Sequence, residues 1–160
     1  MDLSRVLRVS CIVLLCASAG CTAARGSVPL RADGSPGPEE CSEEALKTMR
    51  ILRMRVGDAA KVELDANQID RRNITLYDGP VESYLDGPLG MLEAGTRLYG
   101  HVWTSGRQIV VRYYEAHPVD GEPVPICAVG RDISKKSDSR PGLAVLDYSG
   151  ALVFVVNSFR

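Results

Sequence analysis

The sequence has no apolar run of the length that a membrane-spanning helix requires. Such a helix needs about 20 apolar residues, and the uncharged run near the amino terminus, residues 9–19, is roughly half as long. Positive charge is not concentrated either, since 19 Lys and Arg stand against 20 Asp and Glu, a formal net charge of -1. Because phosphate binding depends on clustered positive charge, we expect no nucleic acid partner.

Histidine is scarce, and the motifs of common enzyme sites are missing. The two histidines, His101 and His117, lie 16 residues apart without a marked third ligand, whereas a zinc site needs at least three protein ligands. No Gly-x-Ser-x-Gly elbow accompanies them, and a serine hydrolase would need a comparable nucleophile motif. We therefore expect no metal, no cofactor and no catalytic residues.

The first 20 residues have the layout of an export signal. Arg5 and Arg8 precede the apolar run, which ends in Ala17-Ser18-Ala19-Gly20-Cys21, and this order is typical of a signal peptide. The last five residues resemble the lipobox of bacterial lipoproteins. That resemblance implies a signal peptide over residues 1–20, cleavage before Cys21, and fatty acyl chains such as palmitate on its thiol and amine. Two or more chains give stable membrane attachment.

The residue after the lipidated cysteine indicates which of the two membranes holds the protein. Thr22 follows Cys21, where an Asp would indicate inner-membrane retention, so we predict an outer-membrane lipoprotein in the cell envelope. The alternative is ordinary signal cleavage after Ala19 or Ala24, which would give a periplasmic or secreted protein.

Two cysteines remain once the leader and the lipid site are set aside. Cys11 and Cys16 belong to the leader, which leaves Cys41 and Cys127. Two thiols in an oxidising compartment predict one disulfide. The alternative, a metal-binding pair, would need further ligands that the sequence does not mark.

Composition divides the rest of the chain into a tether and one domain. Residues 21–40 are rich in Ala, Gly, Pro and Ser, with Val28 and Leu30 as the only large apolar side chains, and such a composition predicts a flexible tether. Residues 41–160 suffice for a single domain with a core of its own.

The domain begins with a helix signal and continues with strand signals. Ser42 precedes two glutamates and apolar residues at helical spacing, which predicts one short helix that ends before Gly57; a strand entering the sheet directly is the alternative. Turn pairs such as Ser105-Gly106, Asp120-Gly121 and Ser149-Gly150 predict two or three consecutive hairpins. The predicted strands cover residues 62–64, 74–77, 81–85, 97–104, 108–116, 124–129, 143–148 and 152–156. We predict a mainly β fold, a small antiparallel barrel or sandwich with one short N-terminal helix.

Alternation along residues 97–104 assigns two faces to this strand. Leu98, Val102 and Thr104 lie on the predicted core face, together with Gly100, which predicts a bulge or sharp bend. Residues 152–156 are strongly apolar and predict a strand in the interior of the sheet; on an edge the same strand would invite strand addition by a partner.

The opposite face of the same strand carries aromatic rings. Such platforms bind sugar rings or anchor protein partners. The alternative is that the rings cover a half-buried sheet face under a loop or the N-terminal helix. The candidate interaction surface consists of Tyr99, His101 and Trp103, with Arg112 and Tyr114 beside them across the hairpin.

One stretch carries a resemblance to known proteins. The string Gly95-Thr96-Arg97-Leu98-Tyr99-Gly100-His101-Val102-Trp103-Thr104 and the later Pro125-Ile126-Cys127 resemble a group of small myxobacterial envelope lipoproteins, over residues 41–130. The same layout is similar to the barrel domain of the periplasmic channel subunit of type IV secretion systems. Several proteins of the first group carry a serine/threonine kinase label.

The kinase label does not fit the chemistry of this chain. Phosphoryl transfer in kinases needs a Gly-x-Gly-x-x-Gly loop, a catalytic Asp in a His-Arg-Asp loop and a metal-holding Asp in Asp-Phe-Gly. Here Arg131-Asp132 is preceded by Gly130, and neither of the other two motifs occurs. An exported protein would also meet no ATP.

These observations lead to an expected function without a reaction. We expect a lipid-anchored envelope protein with a non-enzymatic binding or assembly role, whose partner is an envelope protein or the cell wall. The alternatives are an enzyme that acts on peptidoglycan or polysaccharide, and a binder of a small ligand at the mouth of the barrel.

Overall fold

Residues 28–160 are the part of the chain that the computed structural model describes; the predicted signal peptide and Cys21 lie outside it. The described part contains one helix and ten strands. In chain order they are β1 (Glu39–Glu40), α1 (Glu43–Ile51), β2 (Ala59–Glu63), β3 (Arg72–Tyr77), β4 (Gly79–Leu85), β5 (Arg97–Trp103), β6 (Val110–His117), β7 (Val124–Arg131), β8 (Leu143–Tyr148), β9 (Gly150–Val155) and β10 (Ser158–Phe159).

Six strands close into a barrel in the order β2-β4-β5-β6-β7-β9, and all neighbours are antiparallel. Strands β4 to β7 follow one another as a meander. Strand β9 then lies between β7 and β2, and so closes the ring. The structure confirms the mainly β fold with one short helix and decides for a barrel over a sandwich. It also places residues 152–155 of the predicted apolar strand on β9, which has a neighbouring strand on both sides.

The other long pairing lies outside the ring. Strands β3 and β8 form a separate two-stranded ribbon, whose inner side chains, such as Ile74 and Leu146, are buried. The hairpin predicted at Ser149-Gly150 is therefore wrong, because β8 pairs with β3 while β9 pairs with β2 and β7. The dipeptide marks a corner between two sheets, and a corner and a hairpin need the same turn residues.

The barrel interior is filled by side chains. Leu98, Val102 and Thr104 are buried as predicted. The hydroxyl of Tyr113 donates to Ser83 Oγ at 2.8 Å, and Ser83 donates to the carbonyl of Leu64 at 3.2 Å. Because these buried hydroxyls have partners, the interior holds polar groups without the cost of leaving them unpaired.

The sequence predicts a bulge or sharp bend at Gly100, and the structure has a bulge there in the pairing of β5 with β6; its extra residue, Tyr114, lies on β6. The register of β5 against β6 shifts between Tyr99 and Gly100. A Cβ atom at position 100 would overlap the carbonyl oxygen of Arg112. Only glycine fits this close approach of the two backbones, so the bulge depends on residue 100 having no side chain.

Helix α1 forms as predicted and packs on the barrel. Ser42 Oγ accepts a hydrogen bond from the backbone N–H of Ala45 at 3.1 Å, which caps the first turn. Met49 is buried and lies beside the backbone of Cys127 on β7. Just before the helix, Cys41 is joined to Cys127 in the predicted disulfide, with Cα atoms 5.9 Å apart. No helix within residues 28–160 is long and apolar enough to cross a membrane.

The region predicted as a tether, residues 21–40, differs in its described part. Residues 28–40 fold back on the barrel, and β1 pairs with β10 at the carboxyl end. Gly37 N–H donates to the carbonyl of Pro29 at 2.7 Å, which closes a small loop in this segment. The polar contacts of Glu39 with the barrel hold the segment in place, although it offers little apolar surface.

Candidate binding groove

A groove of about 1270 Å³ runs along the outer faces of β4 and β5. Tyr99 and His101 of β5 line its floor, and Tyr77 at the end of β3 forms part of one wall. The segment at residues 28–30 borders the groove as well. Strand alternation places these two side chains on the floor of the groove. Residues 99 and 101 point outward, whereas Leu98 and Val102 point into the barrel.

Asp78 lies at one end of the groove and accepts three hydrogen bonds. It accepts hydrogen bonds from the backbone N–H of Thr104, from Thr104 Oγ1 at 2.6 Å and from Ser105 Oγ at 3.1 Å. Partial burial by itself would raise the pKa of Asp78, but the hydrogen bonds from Thr104 and Ser105 outweigh it and hold the pKa below the usual value for aspartate. Asp78 is therefore charged at neutral pH.

Glu82 lies further along β4 and is held by β5. Its carboxylate accepts a hydrogen bond from the hydroxyl of Tyr99 at 2.9 Å and pairs with Arg97. Burial opposes the charged form, but the hydrogen bonds from Arg97 and Tyr99 prevail and lower the pKa of Glu82. The same contact with Glu82 raises the pKa of Tyr99. Glu82 and Arg97 neutralise each other at this end of the groove.

The groove is lined by acidic groups and by no basic side chain other than His101. Glu39, Asp65, Asp78 and Glu82 all contribute to its walls. Glu39 and Glu82 each form a salt bridge with an arginine, whereas Asp65 and Asp78 form none within the described residues. The unbalanced charge of the groove is therefore negative, and it favours a positively charged group in a partner.

Two ring contacts order the aromatic side chains. The rings of His101 and Trp103 are tilted against each other with centroids 4.4 Å apart, and those of Tyr99 and His117 with centroids 4.2 Å apart. Burial lowers the pKa of His101 below its usual value, and the charge of Asp78 offsets part of this effect. His101 is therefore neutral at neutral pH and presents an uncharged ring to the groove.

The structure divides the predicted interaction surface. Four of its members line the groove, although Trp103 keeps only 7% of its surface exposed. The fifth, Arg112, is 1% exposed, and its guanidinium lies 5.4 Å from the ring centroid of Trp103 and 4.8 Å from that of Phe159. For Arg112 the prediction of an accessible surface is wrong, because Phe159 and the chain around Gly37 cover it. At this end of the sheet face, the chain around Gly37 forms the covering loop of the alternative interpretation.

Tyr114 is held at the same covered end. Its hydroxyl donates to Glu39 Oε2 at 2.8 Å, and its ring meets the edge of Phe159 at 5.4 Å. Burial and the hydrogen bond to Glu39 raise its pKa. Tyr114 therefore closes one end of the groove more than it offers free surface.

Other residues of the groove were not predicted. Tyr77 and Asp78 sit where β3 passes into β4, and the sequence signal there, Asp78-Gly79-Pro80, indicates only a turn. Alternation along β4 could have placed Glu82 on the outer face, since Val81 and Ser83 face the core. No signal could have shown that β3 and the segment at residues 28–30 form the walls.

No group of three or more His, Cys, Asp or Glu side chains within residues 28–160 is arranged to hold a metal ion.

No protein-family model matches this sequence, and a comparison with curated proteins finds no significant match. The groove has to be interpreted from its own geometry.

Proposed function

We propose that this protein is a lipid-anchored envelope protein that binds another envelope protein without catalysing a reaction, and that the partner lies in the groove along β4 and β5. The observation that carries the proposal is the lining of that groove. Aromatic rings and the carboxylates of Asp65 and Asp78, which form no salt bridge within the described residues, line one open channel. Such a channel suits an extended polypeptide segment with a Lys or Arg side chain and a flat apolar neighbour.

The exposed ring of Tyr77 allows a matched test. Tyr77 lines the groove and is 65% exposed, whereas Tyr148, at the far end of the same ribbon, is 54% exposed and lies outside the groove. Tyr77→Ala should weaken binding of the chain to isolated envelope material about tenfold, as loss of an aromatic anchor does, and Tyr148→Ala should leave it unchanged. Equal binding by both variants and the parent chain would refute a binding role for the groove.

The anchor is tested separately. A lipid on Cys21 predicts that the chain incorporates labelled palmitate, while Cys21→Ser incorporates none. The ordinary cleavage alternative predicts no difference between the two chains. The two experiments therefore test the groove proposal and the lipid on residue 21 separately.

An enzyme that acts on peptidoglycan or polysaccharide is the second candidate, and one observation favours it. His101, with a lowered pKa, shares the groove with Asp78, and a neutral histidine near a carboxylate can act as a base. Against this, Ser105 donates its hydroxyl to Asp78 and offers no nucleophile activated by histidine. Release of soluble fragments from cell wall by the parent chain but not by His101→Asn would support the enzyme; the binding proposal predicts no release by either.

A small-ligand binder is the third candidate, and the barrel itself offers it little support. Tyr113, Ser83 and the apolar core residues occupy the interior. A ligand at the barrel mouth would have to displace packed side chains, which costs more than binding in the open groove.

A further inference from the structure

A second surface with a distinct chemistry lies at the end of α1. Three arginines, Arg50, Arg53 and Arg55, line a shallow hollow of about 400 Å³ over the buried side chain of Met54. Large apolar side chains are exposed around them. We refer to the arginines and these neighbours together as the arginine patch: Arg50, Arg53, Arg55, Ile51, Val56 and Met91.

The backbone that carries the patch is firmly held. Met54 N–H donates to the carbonyl of Met49 at 2.8 Å, and Met91 N–H donates to that of Leu52 at 2.8 Å. The backbone N–H of Arg55 donates to Asp58 Oδ2 at 2.8 Å. The bond between Met91 and Leu52 brings the loop between β4 and β5 against the end of the helix. Met91 therefore lies beside the arginines on a well-ordered backbone.

The guanidinium groups of the patch have no counter-ion within the described residues. Arg97 and Arg112, elsewhere in the domain, each pair with a glutamate. No such pair involves Arg50, Arg53 or Arg55, although three like charges along one short stretch repel one another. An arrangement of this kind favours a partner that supplies several negative charges at once.

The exposed apolar side chains limit the kinds of anionic partner that fit the patch. Ile51 is 67% exposed, Val56 62% and Met91 59%. A soluble anion would gain nothing from them, whereas an interfacial membrane site combines apolar side chains that enter the acyl boundary with arginines that bind phosphates. The hollow is shallow, so it fits a surface better than an enclosed molecule.

From these observations we propose that the arginine patch docks on a membrane surface that carries phosphate head groups. The proposal concerns a surface outside the groove and needs no lipid on Cys21. It also orients the domain. Met91 lies in the loop between the end of β4 and the start of β5, whereas Asp78 and Trp103 lie at the other end of the same two strands. Docking through the patch therefore holds the groove away from the membrane.

The test uses the whole chain with Cys21→Ser, which cannot receive a lipid, and vesicles of phosphatidylcholine with or without phosphatidylglycerol. The chain should sediment more strongly with the anionic vesicles. The triple variant Arg50→Gln, Arg53→Gln, Arg55→Gln should lose that preference, with partitioning reduced about tenfold or more, since each basic residue near an anionic surface contributes on the order of 1 kcal/mol. Thermal unfolding checks that both chains are folded.

A control of equal charge separates the patch from net charge. Arg72, Arg107 and Arg140 are exposed and lie elsewhere in the domain, so the triple change of these three to Gln should keep the preference for anionic vesicles. Equal loss in both triple variants, or no preference in the parent chain, would overturn the proposal.

The apolar part of the patch is tested with salt. The double variant Ile51→Gln, Met91→Gln should lose the fraction of vesicle binding that persists at high salt, because screening weakens only the electrostatic part. If inorganic polyphosphate binds the chain while anionic vesicles do not, the partner is a soluble polyanion and the membrane proposal is wrong.

Discussion

The guanidinium of Arg112 lies 3.1 Å from the carboxylate of Glu39 and ties the first strand of the described chain to the outside of the barrel. Arg112 also donates to the carbonyl of Gly37 at 2.7 Å. Because Arg112 is almost fully buried, these contacts compensate for the loss of water around its guanidinium group. A buried ion that loses its partner is destabilising by several kcal/mol, and more moderately where water reaches the site.

Glu39→Ala should therefore lower the free energy of unfolding by about 2 to 3 kcal/mol, since it leaves the charge of Arg112 without its partner. Urea denaturation gives the value. The control is Glu40→Ala, because Glu40 is the exposed neighbour on the same strand and should change stability by less than about 0.5 kcal/mol. Equal effects of the two changes would show that the ion pair does not stabilise the fold.

The disulfide between Cys41 and Cys127 links the start of α1 to β7 across 86 residues of chain. A crosslink of that span is expected to stabilise by about 4 to 5 kcal/mol in the chain-entropy treatment. Reduction should shift the urea midpoint of the parent chain to a lower concentration, and the double variant Cys41→Ala, Cys127→Ala should already unfold there. A reductant that moves the midpoint of the double variant as well would point to another cause.

Gly100→Ala should be strongly destabilising, because the added methyl group would overlap the carbonyl oxygen of Arg112 at the bulge between β5 and β6. We expect a loss of about 2 kcal/mol or more. Gly87→Ala is the matched change, since nothing lies within 4 Å of its added Cβ, and it should be neutral or slightly stabilising. Thermal unfolding of the two variants side by side decides the point.

The folded protein should gain stability as pH rises through the range in which His101 titrates. Burial lowers the pKa of His101 below 6.5 in the folded state, so between that lowered pKa and 6.5 the unfolded chain binds more protons. The contribution of neutral His101 to stability is fully present above pH 6.5, and it falls as pH decreases toward the pKa of His101 in the folded state. His101→Gln should flatten this part of the curve in urea denaturation between about pH 5 and pH 8; an unchanged slope would assign the effect to other groups.

Much of the fold follows from local patterns, because period-two alternation and turn residues act over a few neighbours. All eight strands of the predicted sheet form, and the capped helix begins at Glu43. The pairing of β3 with β8 could not be predicted, since it joins segments about 70 residues apart that carry no mark of their partner. Strand alternation says which face is buried, not which strand lies beside it.

The candidate site, like the fold, could be predicted only in part. Alternation correctly placed Tyr99 and His101 on the outer face of β5, where they line the groove. It could not show that Arg112 is covered, because its contacts with Gly37 and Glu39 come from a segment more than 70 residues earlier. Composition indicated a tether there, and the polar bonds that hold it to the barrel leave no periodic signal.

The central proposal is that the groove receives an envelope protein, and site-specific crosslinking in native envelopes tests it most directly. A photoreactive phenylalanine analogue at position 77 points into the groove, and the same group at position 148, at the far end of the ribbon and outside the groove, serves as the control. We predict a defined protein adduct from position 77, none from position 148, and a weaker adduct when Asp65 and Asp78 are changed to Asn. Recovery of only lipid and cell wall from position 77, or the same adducts from both positions, would contradict the proposal.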